Sequence, residues 1–140
     1  MFVSEHIWAV LTAEHADEDM EERLGVLQAD LEVFADGLPI DPKYLFLLYP
    51  SGEGVWEIRS VRQAPSIRVM GCFAKKDVFI ATNMALREHL GGWQSREWKD
   101  VKRLARTRWT QMFHTYQPII STDINDLVSG AMDGKYFKKA

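Results

Sequence analysis

Cysteine is almost missing from this chain. Cys72 is the only one in 140 residues, which excludes an intrachain disulfide and a metal centre built of cysteines alone. Apolar runs are short as well, and none approaches the ~18 residues that a membrane span requires. The opening MFVSEHIWAV has neither the basic start nor the small-residue cleavage site of a secretory signal. There is no glycine-rich phosphate loop, no HExxH, no paired Cys/His spacing and no G-x-S-x-G elbow. From these absences we expect no metal, no nucleotide cofactor and no membrane segment, and a cytoplasmic location. Internal repeats and low-complexity stretches are absent too.

What the chain does have is enough apolar material for a core. It is 46% hydrophobic and 26% charged, and its length suits one domain. The net charge of −3 conceals a division. Residues 1–55 hold 2 basic and 12 acidic side chains, residues 56–118 hold 12 basic and 5 acidic, and residues 119–140 hold three of each. A basic middle segment folded onto one face would suit a polyanion. The alternative is a dipolar surface whose halves attract each other.

Periodicity places the elements. His6–Thr12 reads as an opening strand. Over Asp17–Asp36, Met20, Leu24, Leu27, Leu31 and Phe34 recur at spacings of three and four, so a helix is expected. Its acidic start suits the helix dipole, and Gly37 with Pro39 ends it. Asp41–Tyr49 is expected as a short helix opened by Pro42. A three-strand meander follows over Val55–Arg62, Ser66–Phe73 and Val78–Asn83. A turn at Gln63-Ala64 would set Arg59 opposite Arg68. A turn at Lys75-Lys76 would set Phe73 opposite Val78. Those registers put Trp56, Ile58, Ile67, Val69, Phe73, Val78 and Ile80 on one side of the sheet. Ser95 should cap a helix running from Arg96 to Phe113. In it Trp98, Val101, Leu104, Ala105, Trp109 and Met112 form the apolar stripe, while Lys99, Arg103 and Arg106 lie on an outward face. Residues 1–118 are expected to form the domain. Residues 119–140 are expected as a tail with a short helix capped by Thr122.

The hairpin raises the chemical question. Arg59 and Arg68 should face each other on the side away from the core, and like charges placed so are destabilising. A phosphate between them would turn the repulsion into a binding site, because guanidinium forks match phosphate oxygens. A diagonal Glu57 would instead neutralise Arg68 without any ligand. The Lys99, Arg103 and Arg106 stripe offers further phosphate contacts. Of four histidines, His89 is the best placed for proton transfer, with Arg87 two residues before it. Trp93 stands in the same loop and could stack on a base.

The segments WEIR, IRVMGCF, VFIA and EWKDVKRLARTRW together resemble the RelE/ParE superfamily of bacterial toxins, closest to its HigB-like, phage-derived branch. The likeness falls on Trp56-Glu57-Ile58-Arg59, on Ile67-Arg68-Val69, on Val78–Ala81, and on Trp98-Lys99 with Ala105-Arg106. It covers roughly residues 6 to 114. It implies an α+β fold with an N-terminal helical region packed on a small antiparallel sheet of three to five strands, and a C-terminal helix. It also implies a metal-independent endoribonuclease that cuts mRNA on the ribosome by attack of the ribose 2′-OH, neutralised by a cognate helix-turn-helix antitoxin. Arg68 matches the phosphate-stabilising arginine, and Arg59, His89 and Lys99 complete the expected catalytic set. Arg62, Arg87, Arg103, Arg106 and Trp93 are the expected RNA contacts. Two alternatives remain open: a non-catalytic phage or prophage interaction protein on the same scaffold, and a ParE-like topoisomerase poison. Several features depart from the family. Glu57 stands where some ribosome-dependent members have lysine, although acidic residues are usual in this branch. The Arg87–Gln94 loop is long, the tail has no counterpart, and the chain is not basic overall as these toxins usually are.

Overall fold

The computed structural model describes residues 1–12, 18–36, 39–60 and 66–131. It is an α+β structure around a five-stranded mixed sheet. In chain order the elements are β1 (Phe2–Val3), α1 (Glu5–Thr12), α2 (Glu18–Ala35), β2 (Leu45–Leu47), β3 (Trp56–Arg59), β4 (Ile67–Lys75), β5 (Val78–Leu86) and α3 (Arg96–Met112). The strand order is β1-β5-β4-β3-β2. β1 runs parallel to β5, and the other neighbours are antiparallel. No helix among the described residues is long and apolar enough to cross a membrane.

Two expectations fail near the N-terminus and before the meander. His6–Thr12 is helix, not strand. Ser4 explains this: its Oγ accepts from the Ile7 amide at 3.4 Å and donates to the Thr82 carbonyl at 3.0 Å. It therefore caps α1 and ties it to β5. Ile7 then points into the core while Trp8 stays exposed. The expected helix over Asp41–Tyr49 is a turn followed by β2. Leu45 and Leu47 are buried and Phe46 lies between them on the other face. That alternation belongs to a strand.

Two cores sandwich the sheet. On one face α1 and α2 bury Ile7, Leu24, Leu27 and Leu31 against Trp56, Ile58, Val69 and Phe73. Each such side chain contributes roughly 2 kcal/mol of burial. On the other face α3 packs Trp98, Ala105 and Trp109 against Met70, Cys72 and Ile80. Burial pushes the Cys72 thiol up to about 12, so it behaves as a small core residue. As expected, Ser95 caps α3, accepting from the Trp98 amide at 3.3 Å. Of the expected α3 stripe, Leu104 and Met112 lie outside this core at about two-fifths exposure: Leu104 is 39% and Met112 is 40% exposed.

β3 and β4 pair in the expected register, Arg59 opposite Arg68 and Ile58 opposite Val69. β4 and β5 do not. Phe73 faces Phe79, and Gly71 faces Ala81, with irregularities between Met70 and Gly71 and between Phe73 and Lys75. The turn lies at Lys76-Asp77, and Asp77 takes the left-handed conformation at φ 63°. Val78 and Ile80 consequently pack on the α3 side, while Phe79 and Ala81 join the first core.

Residues 119–131 lie against the same sheet. The Ile119 amide donates to Phe73 O at 2.9 Å, Asp77 N donates to Leu127 O at 2.7 Å, and Ile40 bridges Ala131. Ile124, Leu127 and Val128 are buried in the first core. Asp123, not Thr122, caps the turn at Ile124–Asp126, accepting from the Asn125 amide at 3.0 Å.

Candidate nucleic-acid interface

β3 and β4 bring Glu57, Arg59 and Arg68 onto the α3 face of the sheet. The alternation that buries Trp56 and Ile58 on one side sends Glu57 and Arg59 to the other. Glu57 is fully buried. Its Oε1 accepts from Arg59 Nε at 2.5 Å and lies 3.6 Å from Arg68 Nη1. Arg87 adds a third positive charge, felt by both Glu57 and Arg68. Two cations thus contact one carboxylate, and Arg87 acts on it from farther off.

The hydrogen bonding here is incomplete. Glu57 Oε2, Arg68 Nε and Arg68 Nη1 are buried with no hydrogen-bond partner among the described residues. Buried polar groups left this way cost stability, so they mark a position that is not optimised for folding. Burial pushes the Glu57 carboxyl above its ordinary range, against the opposing pull of Arg59, Arg68 and Arg87. Burial likewise pulls the Arg68 guanidinium below its ordinary value, against the pull of Glu57.

Aromatic rings wall one side. The Arg59 guanidinium sits 4.4 Å over the Phe46 ring and 5.8 Å from the Trp93 ring. Trp93 stacks on the buried Trp98 at 4.6 Å and 20°. The loop that carries Trp93 is fastened by Arg87, whose Nη1 donates to Gly91 O at 3.0 Å. Gly91 has φ 59°, which glycine adopts without strain.

No family model, curated protein or solved structure matches the chain.

The remaining expected residues distribute as follows. Lys99, Arg103 and Arg106 share the outer side of a groove with Trp93, on the same face of the sheet as Arg59 and Arg68. His89 is exposed and lines a cleft with Val10, Met20 and Leu24, against the α1–α2 layer. The carboxylate in contact with Arg59 and Arg68 is Glu57, not a partner of His89. Neighbouring Glu88 takes two bonds from the buried Arg23, at 2.8 and 2.9 Å, which ties this turn to α2. Those bonds hold the Glu88 carboxyl below its ordinary range. Arg62 lies outside the described residues.

Sequence reasoning undervalued Glu57, which stands at the centre of the cluster and not at its margin. It misses Phe46, because Asp41–Tyr49 has the sequence pattern of a short helix opened by Pro42. It missed Lys102, although its spacing of three from Lys99 places it beside the stripe. The charge division of the sequence becomes spatial: acidic Glu18, Asp19, Glu21 and Glu22 start α2 on one side of the sheet, and the basic α3 covers the other.

Proposed function

We propose that the protein is an endoribonuclease of the RelE/HigB type that grips an RNA phosphate at Arg68. One observation carries this: Arg59 and Arg68 face each other across a hairpin, share a single buried carboxylate, and leave guanidinium donors of Arg68 without a hydrogen-bond partner among the described residues. An anion at that position would supply the missing acceptors. The α+β class and the five strands are compatible with what the resemblance implies, whereas the sheet is mixed and not antiparallel, because β1 pairs parallel to β5.

Cleavage by 2′-OH attack needs a proton acceptor, cations for the charge that grows on the phosphate, and a proton for the leaving oxygen. Glu57 takes the 2′-OH proton as that oxygen bonds to phosphorus, the bond from phosphorus to the 5′ oxygen breaks, and the 5′ oxygen leaves with a proton from water. Glu57 is the carboxylate in contact with the arginines, and its raised pKa brings it nearer the range where a carboxylate works as a base. Arg68 and Arg87 hold the phosphate. Arg59 covers Glu57 and must leave Phe46 for the strand to enter. The cognate partner would be a helix-turn-helix antitoxin whose co-expression restores growth.

A second reading has its own observation. Glu57 is wholly buried and His89 lines a cleft against the α1–α2 layer, which favours a binding protein that holds a polyanion without cutting it. Inducible expression with primer extension on a cellular mRNA separates the two. The nuclease gives new 5′ ends in the parent and none in Arg68→Ala. Equal cleavage by both proteins removes Arg68 from the chemistry, and no cleavage by the parent leaves the binding protein.

A further inference from the structure

Beyond Trp93 the Arg68 centre adjoins a larger hollow of about 670 Å³. One wall is the turn that starts at Tyr49, and the other is α3. Four cations line it, Lys99, Lys102, Arg103 and Arg106, against one lining carboxylate, Glu53, while Arg103 also lies 3.5 Å from Asp100 on the exposed side of α3. Lys99, Arg103 and Arg106 lie in one row about 10 Å long. Arg106 reaches inward, where its side chain bonds the buried Cys72 thiol, and its Nη1 is buried with no hydrogen-bond partner among the described residues. Lys102 has a different task. Its Nζ donates to the Tyr49 carbonyl at 2.5 Å and so fixes the opposite wall to the helix. The Tyr49 side chain is 55% exposed, a large ring left open to solvent at the edge of a cationic groove.

A row of cations answers an extended anion, and an exposed aromatic face answers a flat ring. An RNA strand carries both. We propose that this groove is a second subsite for the same strand: its phosphates lie on Lys99, Arg103 and Arg106, and one unpaired base stacks on Tyr49. The subsite rests on the reading of the Arg68 centre as an RNA site, and Trp93 marks the border between them. It makes single-stranded RNA the substrate class, because a base inside a duplex has no free face to offer. Lys102 is a positioning residue here, holding Tyr49 at the right distance from α3.

Binding of a fluorescent 2′-O-methyl RNA, which lacks the attacking hydroxyl, tests the subsite apart from cleavage. The probe is titrated into the full chain by anisotropy at several salt concentrations, with thermal melts to verify folding of each variant. Tyr49→Leu is expected to weaken binding at least fivefold, and Tyr49→Phe to match the parent. Tyr49→Leu should leave competition by inorganic tripolyphosphate unchanged, since that ligand has no base. The double variant Lys99→Ala, Arg103→Ala should flatten the slope of log affinity against log salt by about 1.4. The subsite is overturned if Tyr49→Leu binds like the parent, if it loses tripolyphosphate and RNA equally, if the slope is unmoved, or if a duplex binds as tightly as the single strand. The outcome for cleavage is read separately on unmodified RNA. A protein that binds through the groove but does not cut refutes the nuclease and keeps the subsite. One that cuts with the groove variants indifferent does the reverse.

Discussion

Replacing Glu57 by Gln should abolish the proposed RNA cleavage without loss of stability. The amide keeps the size of the side chain and an oxygen that can accept from Arg59 Nε, now 2.5 Å from Oε1. What it removes is a buried negative charge. Burial is the largest influence on that carboxyl and raises its pKa, while the arginines only partly offset it. A carboxyl raised in the folded state contributes stability that is fully present below its unfolded pKa of about 4.3 and is lost as pH rises through the folded value. The parent should therefore fall behind Glu57→Gln across that window, and the gap should stay constant above it. Each unit by which the fold raises the carboxyl is worth about 1.4 kcal/mol. For a chain of 140 residues that corresponds to about 5 °C in melting temperature. Urea unfolding of both proteins between pH 4 and pH 8 measures the gap directly. If Glu57→Gln is instead several kcal/mol less stable at pH 8, the ion pairs with Arg59 and Arg68 outweigh burial, and the carboxylate is structural. Removing one partner of a buried pair commonly has that effect, on the order of 3–5 kcal/mol, so the two outcomes are far apart.

Other perturbations test the frame around the site. At Gly71 a Cβ would stand 2.1 Å from Ile80 O and 2.7 Å from Phe79 Cζ, so Gly71→Ala must part β4 from β5. A loss of at least about 3 kcal/mol is expected, read as a melting temperature lower by roughly 10 °C. Asp77→Ala combines a left-handed backbone with loss of the bonds to Ser129 N at 2.8 Å and Ser129 Oγ at 2.5 Å. It should cost about 2 kcal/mol, and Asp77→Asn less, because asparagine tolerates that backbone. The bonds from Ser129 hold the Asp77 carboxyl below its ordinary range, so its contribution is present above pH ~3.9 and fades as pH falls through the depressed value. The difference between parent and Asp77→Asn should then shrink in acid. Arg23→Leu strips Glu88 of both its bonds from α2 and should cost about 2 kcal/mol by chemical unfolding.

The arginine pair was legible from sequence because β3 and β4 pair without interruption. Trp56, Ile58, Ile67 and Val69 alternate cleanly, and one turn position satisfies all four. The next hairpin was not legible, since its register shifts twice along β4 and β5. A bulge changes which residues face each other while leaving the local hydrophobic pattern intact, so Val78 and Ile80 were assigned to the wrong core. At the N-terminus, HIWAVLT is apolar enough for either a strand or a short buried helix, and Ser4 decided it through a contact with Thr82, 78 positions away. β2 has three residues and followed a proline that suits a helix start. For the site, charge and spacing indicated Arg59, Arg68 and the α3 row. The central place of Glu57 required knowing that it is fully buried beneath a partly covered arginine pair, which is a property of packing against α3 and the Trp93 loop.

The stacked indoles offer a way to watch the site. Trp93 and Trp98 lie nearly parallel with ring centres 4.6 Å apart, and Trp98 is sealed in the core while Trp93 is partly open. Two chromophores that close couple their electronic transitions and give a paired circular-dichroism band. Trp56 and Trp109 are buried in separate surroundings without such a partner indole among the described residues. A strand that displaces Arg59 and pushes the loop aside would break this couplet while the far-ultraviolet signal of the helices persists. If RNA enters as proposed, loss of the couplet reports movement of the Trp93 loop away from Trp98.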